Sequence, residues 1–427
     1  MAVRHLYCFT ADGGVPIFSK TKGDAKQLPF PVIGGLNGLD IYAENHAAKL
    51  LSASSDNSNV IWKVFHDSFR ILLVKQEDET DVKFAVQQIV YVFNALVLMY
   101  GFENLVPIKN VEKLKKEVKV ASSLIDTLLE GRGSPLLCGV THSVDVIACP
   151  ENLILQSYLE AFIEAADSPY GCLFIRGKII AASKKWWSLS QLEQVLLSLL
   201  NVSLPECSFR DIPIYLPKAS PKVPHRLLTF QLVNGVEVWV ICGPKPSLVE
   251  LEREVSRFWR TAFEALKSLT WVHPRNLPTT VQLDASVLAL LLVDTASRRC
   301  VSSVCPSTES LRQRQTARDT SPDYRRDLLR MFYKKVVGDI FESVPNIDDE
   351  DTDLDKGIQR FSELLHKAKE TYTVTNTHKL YALQDKNHQL FLLFSTNIPT
   401  FAMRSVTKKT LEACLKDKSV QFALSSR

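Results

Sequence analysis

Asn59–Lys75, NVIWKVFHDSFRILLVK, reads as two β-strands, Val60–Phe65 and Phe69–Lys75, folded about His66-Asp67-Ser68. β-branched and aromatic side chains dominate both runs, and the three residues between them are polar and turn-compatible. Alternation places Val60, Trp62 and Val64 on one side of the first strand and Ile61 and Phe65 on the other, with only Lys63 and Arg70 breaking the apolar pattern. A sheet that is apolar on both sides must be covered on both, by its own helices or by a partner.

The flanking sequence supplies candidate covers. Val3–Phe9 and Val15–Lys20, joined by Ala11-Asp12-Gly13-Gly14, make an opening hairpin. Leu28–Tyr42 follows as a helix with Pro29 and Pro31 at its start. Phe30, Ile33, Leu36 and Asp40–Ile41 mark its spacing, and Gly34, Gly35 and Gly38 weaken it. A strand near Lys49–Ala53 precedes the central hairpin. Val82–Tyr100, apolar nearly all round, opens behind Thr80-Asp81 and stops at Gly101. Ile108–Leu129 is amphipathic, with Val111, Leu114, Val118, Ile125 and Leu128 inward. This order predicts a five-stranded antiparallel sheet with one helix on one face and two on the other.

The layout recurs. After a break at Gly131–Pro135, a helix Leu153–Ala166 leads to a hairpin, Cys172–Arg176 and Lys178–Ala182, and a helix Leu189–Leu200. Strands at Ile212–Leu216, Arg226–Leu232 and Val236–Cys242 follow, the last two joined by Asn234-Gly235, and Ser247–Leu269 reads as one long closing helix. The third unit has strands at Ser286–Asp294 and Arg299–Val304, a helix Asp323–Phe341, strands near Thr371–Val374, His378–Leu383 and Gln389–Ser395, and a helix Ala402–Leu415. The fold class is α/β (α+β): three domains, 1–133, 134–275 and 276–427, each a mainly antiparallel sheet flanked by helices. The third carries an Arg/Ser-rich stretch near 307–321 and an acidic loop near 346–357.

The totals bound the function. Fifty-one basic and 47 acidic side chains leave a net charge of +4, too balanced for the dense basic field of a nucleic-acid binder. Nine cysteines without a CxxC pair suit a reducing compartment. MAVRHLYCFT reads as a strand and not a signal peptide, Ala2 stands where myristoylation needs glycine, and QFALSSR carries no prenylation box. The longest apolar run, Ile89–Phe102, is interrupted by Asn94 and falls short of a membrane span, so a soluble, cytoplasmic protein is expected.

No catalytic constellation emerges, and neither an enzyme nor a cofactor is expected. Gly131-Arg-Gly133 lacks the third glycine and the Lys-Ser/Thr of a phosphate loop. In the acidic run Asp348–Asp355, a calcium loop started at Asp351 would have its glycine one place late and Ser362 where a bidentate Glu belongs. Cys300 and Cys305 have no nearby histidine, and no GxSxG elbow frames a nucleophile. Asn201-Val-Ser203 is a glycosylation sequon that a cytosolic chain would not use.

Four features admit both an ordinary and a functional reading. Lys109, Lys113 and Lys116 lie at helical spacing opposite the apolar stripe, either as a solvated face or as a contact for acidic phospholipid or an acidic partner. Arg312, Arg314, Arg318, Arg325, Arg326 and Arg330 form a second basic cluster, weighed in the same way and read as a disordered or solvent-facing stretch. Of Trp186 and Trp187, at least one indole belongs in the core, and the other is a candidate for an interface. The glycine-interrupted helix Leu28–Ile41 packs in its own domain, against a partner, or one side on each.

Several segments resemble the Fuzzy family of planar-cell-polarity effectors: QLPFPVIGGLNGLDIY (Gln27–Tyr42), VIWKVFHDSF (Val60–Phe69), NVEKLKKEVKVASSLID (Asn110–Asp126), KIIAASKKWW (Lys178–Trp187), YLPKASPKVPHRLLTF (Tyr215–Phe230) and CGPKPSL (Cys242–Leu248). The resemblance covers about residues 1–272 and beyond that holds in layout. It implies three longin domains and a non-catalytic heterodimer with Inturned inside the CPLANE assembly, alongside Fritz and a Rab-like small GTPase. The first longin domains of such a pair form a joint platform for the GTPase. Ciliogenesis, traffic to the basal body and nucleotide exchange are the implied roles. On this chain the pairing and platform residues are expected to include Phe30, Ile33, Leu36, Asn37, Ile41, Trp62, Phe65 and Trp187.

Overall fold

A computed structural model describes residues 3–76, 82–130, 134–272, 274–305, 321–341 and 368–425. The central hairpin forms as its residues dictate: β4 (Ser58–Phe65) and β5 (Phe69–Gln76) pair with Phe65 opposite Phe69, and His66 and Asp67 take left-handed φ in the turn. With β1 (Val3–Thr10), β2 (Pro16–Lys22) and the short β3 (Ser52–Ser55), they build a five-stranded sheet in the order β2-β1-β5-β4-β3.

Both faces of this sheet are covered by the chain's own helices. α1 (Phe30–Asn45) lies over a cluster of Tyr7, Phe9, Ile33, Val60, Trp62, Leu72 and Val74. α2 (Val82–Tyr100) lies against β4 and β5 on the opposite face, where the Phe65 and Phe93 rings stack with centroids 4.3 Å apart. At 19 residues α2 is long and apolar enough to cross a membrane by length and composition, which the expectation drawn from Ile89–Phe102 had discounted. Residues such as Ile89, Val92, Phe93 and Leu96 are buried in the core of this domain. The expected helix over Ile108–Leu129 is two helices, α3 (Val111–Glu117) and α4 (Ser122–Leu129), joined by a 3-10 turn at Val118–Ala121. Asn110 caps α3 by accepting from the Lys113 N–H.

The same strand order appears twice more. Ahead of the second sheet run β6 (Val144–Asp145) and α5 (Asn152–Ala165). Then come β7 (Tyr170–Ile175), β8 (Lys178–Ala182), α6 (Gln191–Ser203), β9 (Phe209–Leu216), β10 (Ser220–Val233) and β11 (Val236–Cys242), in the order β8-β7-β11-β10-β9. Ser190 and Glu193 form a reciprocal cap at the start of α6, so the buried Glu193 carboxylate is accounted for by helix initiation. The long closing helix expected at Ser247–Leu269 is instead α7 (Leu248–Trp259) and α8 (Phe263–Val272), broken where the Thr261 hydroxyl donates back to Phe258 O.

The third sheet uses β12 (Val287–Asp294), β13 (Arg299–Val304), β14 (Glu370–Val374), β15 (Lys379–Asp385) and β16 (His388–Phe394), flanked by α9 (Pro322–Asp339), α10 (Thr400–Lys416) and α11 (Lys418–Leu424). Its order, β14-β15-β16-β12-β13-β6, recruits a sixth strand from ahead of the second domain. β6 pairs in parallel with β13, and the next residue, Val146, bridges to Ile179 of β8. Asn152 holds this stitch, its Nδ2 donating to Ile147 O and Ile180 O.

By contacts the chain divides into two compact units, one of 1–134, 199–206 and 212–226, the other of 135–198, 207–211 and 227–427. In the first, Gly101 closes α2 with φ +83°, and a Cβ there would sit 2.6 Å from the Tyr215 ring. The acidic loop, Gly131–Gly133, Thr80-Asp81, Arg312, Arg314 and Arg318 lie outside the described residues.

Candidate functional site

α1 is fixed in rotation from beneath. Ile33, Asn37 and Asp40 are buried, and the Trp62 indole Nε1 donates to Leu36 O at 3.1 Å. Arg70, reaching up from β5 with its side chain fully buried, donates to Asp40 Oδ2 and Glu44 Oε2, each at 2.5 Å, and to Ala11 O at 3.1 Å. Burial raises the Asp40 pKa, and the Arg70 hydrogen bond and charge oppose that rise. A buried cation on the sheet and two acids one turn apart on the helix set which side of α1 faces down.

The opposite side is therefore turned out, and it is apolar. Phe30 is 77 % exposed, Tyr42 64 %, Leu39 55 % and Val32 46 %. Gly34, Gly35 and Gly38 lie among them, and a Cβ on any would meet nothing within 4 Å. The outer surface is bare helix backbone between large apolar side chains, which permits close approach by another element. Nothing on it suits acid–base or nucleophilic work.

The two topologically equivalent helices are not open in this way. α6 is buried continuously from Leu192 to Leu200. α9 is crossed by the chain's own Pro135–Thr141 segment: Arg330 Nη2 donates to Leu136 O at 3.1 Å, and Arg326 Nη1 and Tyr333 Oη lie 3.5 Å from Pro135 O and Thr141 O. Arg325, Arg326 and Arg330, expected to face solvent, are buried here, because guanidiniums can satisfy several main-chain carbonyls at once.

Of the residues expected at a pairing surface, only Phe30 is exposed, at the first position of α1 and one turn ahead of buried Ile33; Leu36 and Ile41 are half-buried at the margins of the outer face. Ile33, Asn37, Trp62 and Phe65 are buried in the first domain and shape the face from below. Trp186 is fully buried, and Trp187 lies under the Arg299 guanidinium, 3.5 Å from the ring centroid, engaged within the chain. Val32, Leu39 and Tyr42, absent from that expectation, lie on the outer face; the signal for it is that the polar Asn37, Asp40 and Glu44 share the inward row while the outward one is apolar.

Lys109 precedes the α3 cap, so it is out of helical register with Lys113 and Lys116; all three are exposed. Glu117 lies 3.7 Å from Lys113, and Glu112 pairs with the neighbouring Lys115 at 2.7 Å, which dilutes the positive field. A cavity of about 150 Å³ in the second unit is lined by Glu160, Lys184, Trp187, Arg299 and Phe422 among others. Its Arg299, whose pKa burial lowers to about 10, already donates to Ala423 O and Ser425 O. Among the described residues no three His, Cys, Asp or Glu side chains gather as a metal site.

Family profiles match in chain order: the first longin domain of FUZ, MON1 and HPS1 over residues 4–128, the second over 166–260 and the third over 286–418. The protein fuzzy homolog of Xenopus tropicalis is 39% identical over 414 residues, covering 96% of this chain and 98% of that one. The chain belongs to the Fuzzy family. The human and mouse fuzzy homologs are similar at 37% and 36% identity, each over 96% of both chains. Fuzzy-family membership makes each of the three sheets with its helices a longin domain, and α1 is the inter-strand helix of the first. The third longin domain, as matched, takes one strand from outside its own span, since β6 precedes even the second match.

Proposed function

We propose that this chain is a non-catalytic scaffold subunit whose first longin domain docks a partner longin domain through the outer face of α1. The partner in this reading is Inturned, and the pair presents a platform for a Rab-like small GTPase, within an assembly that includes Fritz and serves trafficking to the basal body and cilium. The observation that carries it is the exposure of Phe30, Val32, Leu39 and Tyr42 beside Gly34, Gly35 and Gly38, on the one inter-strand helix of three that the described residues leave open. Membership of the Fuzzy family supports the choice of partner. Contact with acidic phospholipid through Lys109, Lys113 and Lys116 is the weaker reading, given the interleaved Glu112 and Glu117.

Leu39→Asp with Tyr42→Asp, assayed by co-purification with Inturned, tests the docking face. Loss of the complex with unchanged thermal stability is the expected result; retention of the complex overturns the reading. Nucleotide release from the GTPase separates two roles for the pair. An exchange factor favours the nucleotide-free GTPase and accelerates release, whereas a recruiter prefers the GTP-loaded form and leaves release at its spontaneous rate.

A further inference from the structure

The third sheet is finished on one edge by the chain itself and left open on the other. β6 completes the β13 edge. At the far edge β14 pairs with β15, and among the described residues no strand lies beyond it. Lys369 O accepts from Gln384 N at 2.7 Å, and Thr375 N donates to His378 O at 2.9 Å. Hydrogen-bonded pairs alternate along an antiparallel ladder, so Thr371 and Thr373 also face β15. The N–H and C=O groups of Glu370, Tyr372 and Val374 therefore point to the open edge. The side chains of Tyr372 and Val374 are 57 % and 50 % exposed.

The other open edges carry features that discourage pairing. β2 begins at Pro16 and carries Lys20 and Lys22; β3 is four small residues, SASS; β9 contains Pro213 with Arg210 and Asp211. β14, ETYTV, has no proline, lysine or arginine. Its one charge, Glu370, is held by Arg404 through Nε at 3.0 Å and Nη2 at 2.8 Å. Beside the strand, α10 opens with Phe401, 87 % exposed. Exposed Lys369 adjoins the strand, and exposed Arg404 and Lys408 follow Phe401 on α10, three cations against the acids Glu370 and Asp385.

We propose that β14 is a strand-addition site for an extended, acidic segment of a partner protein, with apolar side chains at alternate positions seated against Tyr372, Val374 and Phe401. The unused donors and acceptors require an extended backbone, the excess of cations selects acidic flanks, and β6 shows this same sheet accepting an added strand at its other edge. The site does not depend on α1.

A fluorescein-labelled peptide, Glu-Glu-Val-Thr-Val-Thr-Val-Glu-Glu, titrated into the full chain and followed by anisotropy, tests it. Saturable binding is expected, weakened at least tenfold by Tyr372→Pro, which removes an N–H that no strand among the described residues uses. Val374→Lys, which leaves the backbone intact, is expected to weaken it similarly, with unchanged thermal unfolding confirming the fold. Absence of saturable binding by the unaltered chain, or equal binding by both variants, overturns the proposal. So does a concentration-dependent dimer in sedimentation that Tyr372→Pro dissolves, because the occupant would then be a second copy.

Discussion

The indole N–H of Trp62, at the centre of the first sheet, is hydrogen-bonded to the main-chain oxygen of Leu36 on α1, so the sheet grips the helix through its backbone as well as by packing. Trp62→Ala removes this bond and leaves a cavity beneath α1, and a loss of ~3–5 kcal/mol is expected. Trp62→Phe keeps most of the volume and should cost about 1–2 kcal/mol. Denaturant unfolding followed by near-ultraviolet dichroism checks both; a loss under ~1 kcal/mol for the alanine variant would contradict the burial.

Asp40 and Arg70 are both buried; removing Arg70 strands the Asp40 charge, and removing Asp40 leaves Arg70 with the half-exposed Glu44 and Ala11 O. Asp40→Ala is expected to cost about 3 kcal/mol or more, whereas Asp40→Leu combined with Arg70→Met should cost far less than the sum of the single changes. A double-mutant cycle on the unfolding midpoint measures the difference. Additive losses would mean that the pair does not act as a unit.

His142 sits beside Arg298 and Lys334, and burial, reinforced by those two charges, lowers its pKa from 6.5 to about 4. The folded imidazole therefore stays neutral to about pH 4, while the unfolded one takes a proton near 6.5. Between those values the unfolded state binds more protons, so stability falls as the pH drops, by roughly 2–3 kcal/mol for this group. His142→Asn, which tolerates the left-handed backbone there (φ 50°), should flatten the dependence of Tm on pH between 6.5 and 4. An unchanged slope would exclude His142 as its source.

Arg330 ties α9 to Leu136 O, and its pairing with Asp327 supports a cation kept from water. Arg330→Ala should cost about 3 kcal/mol and release the Pro135–Thr141 segment. Limited proteolysis would register this as faster cleavage near Leu136, with the first longin domain's own unfolding unaffected.

The succession of strands and helices was legible because hairpins announce themselves locally: Asp-Gly-Gly at 12–14, Asn234-Gly235, and the alternation of Val60–Phe65. What local pattern could not supply was orientation and distant pairing. The inward row of α1 holds the polar Asn37, Asp40 and Glu44, so its periodicity points the wrong way; Asp40 and Arg70 decide which row faces down, and they are 30 residues apart. Arg325, Arg326 and Arg330 looked like a solvated basic cluster because the carbonyls that two of them serve, Pro135 and Leu136, are more than 190 residues earlier. The break between α7 and α8 contains neither proline nor glycine. The Val32, Leu39 and Tyr42 face was concealed because an outward apolar row over an inward polar one inverts the usual pattern.

Because β6 and the Pro135–Thr141 segment belong structurally to the third longin domain, a ribosome emits them well before their binding surfaces exist. At roughly 5–20 residues per second, β13 and α9 emerge many seconds after the strand they must receive. The nascent second domain thus carries an unfinished edge through most of its synthesis. A message truncated between the two domains would yield a product with that edge permanently bare, as would a recombinant fragment cut at the apparent repeat boundary.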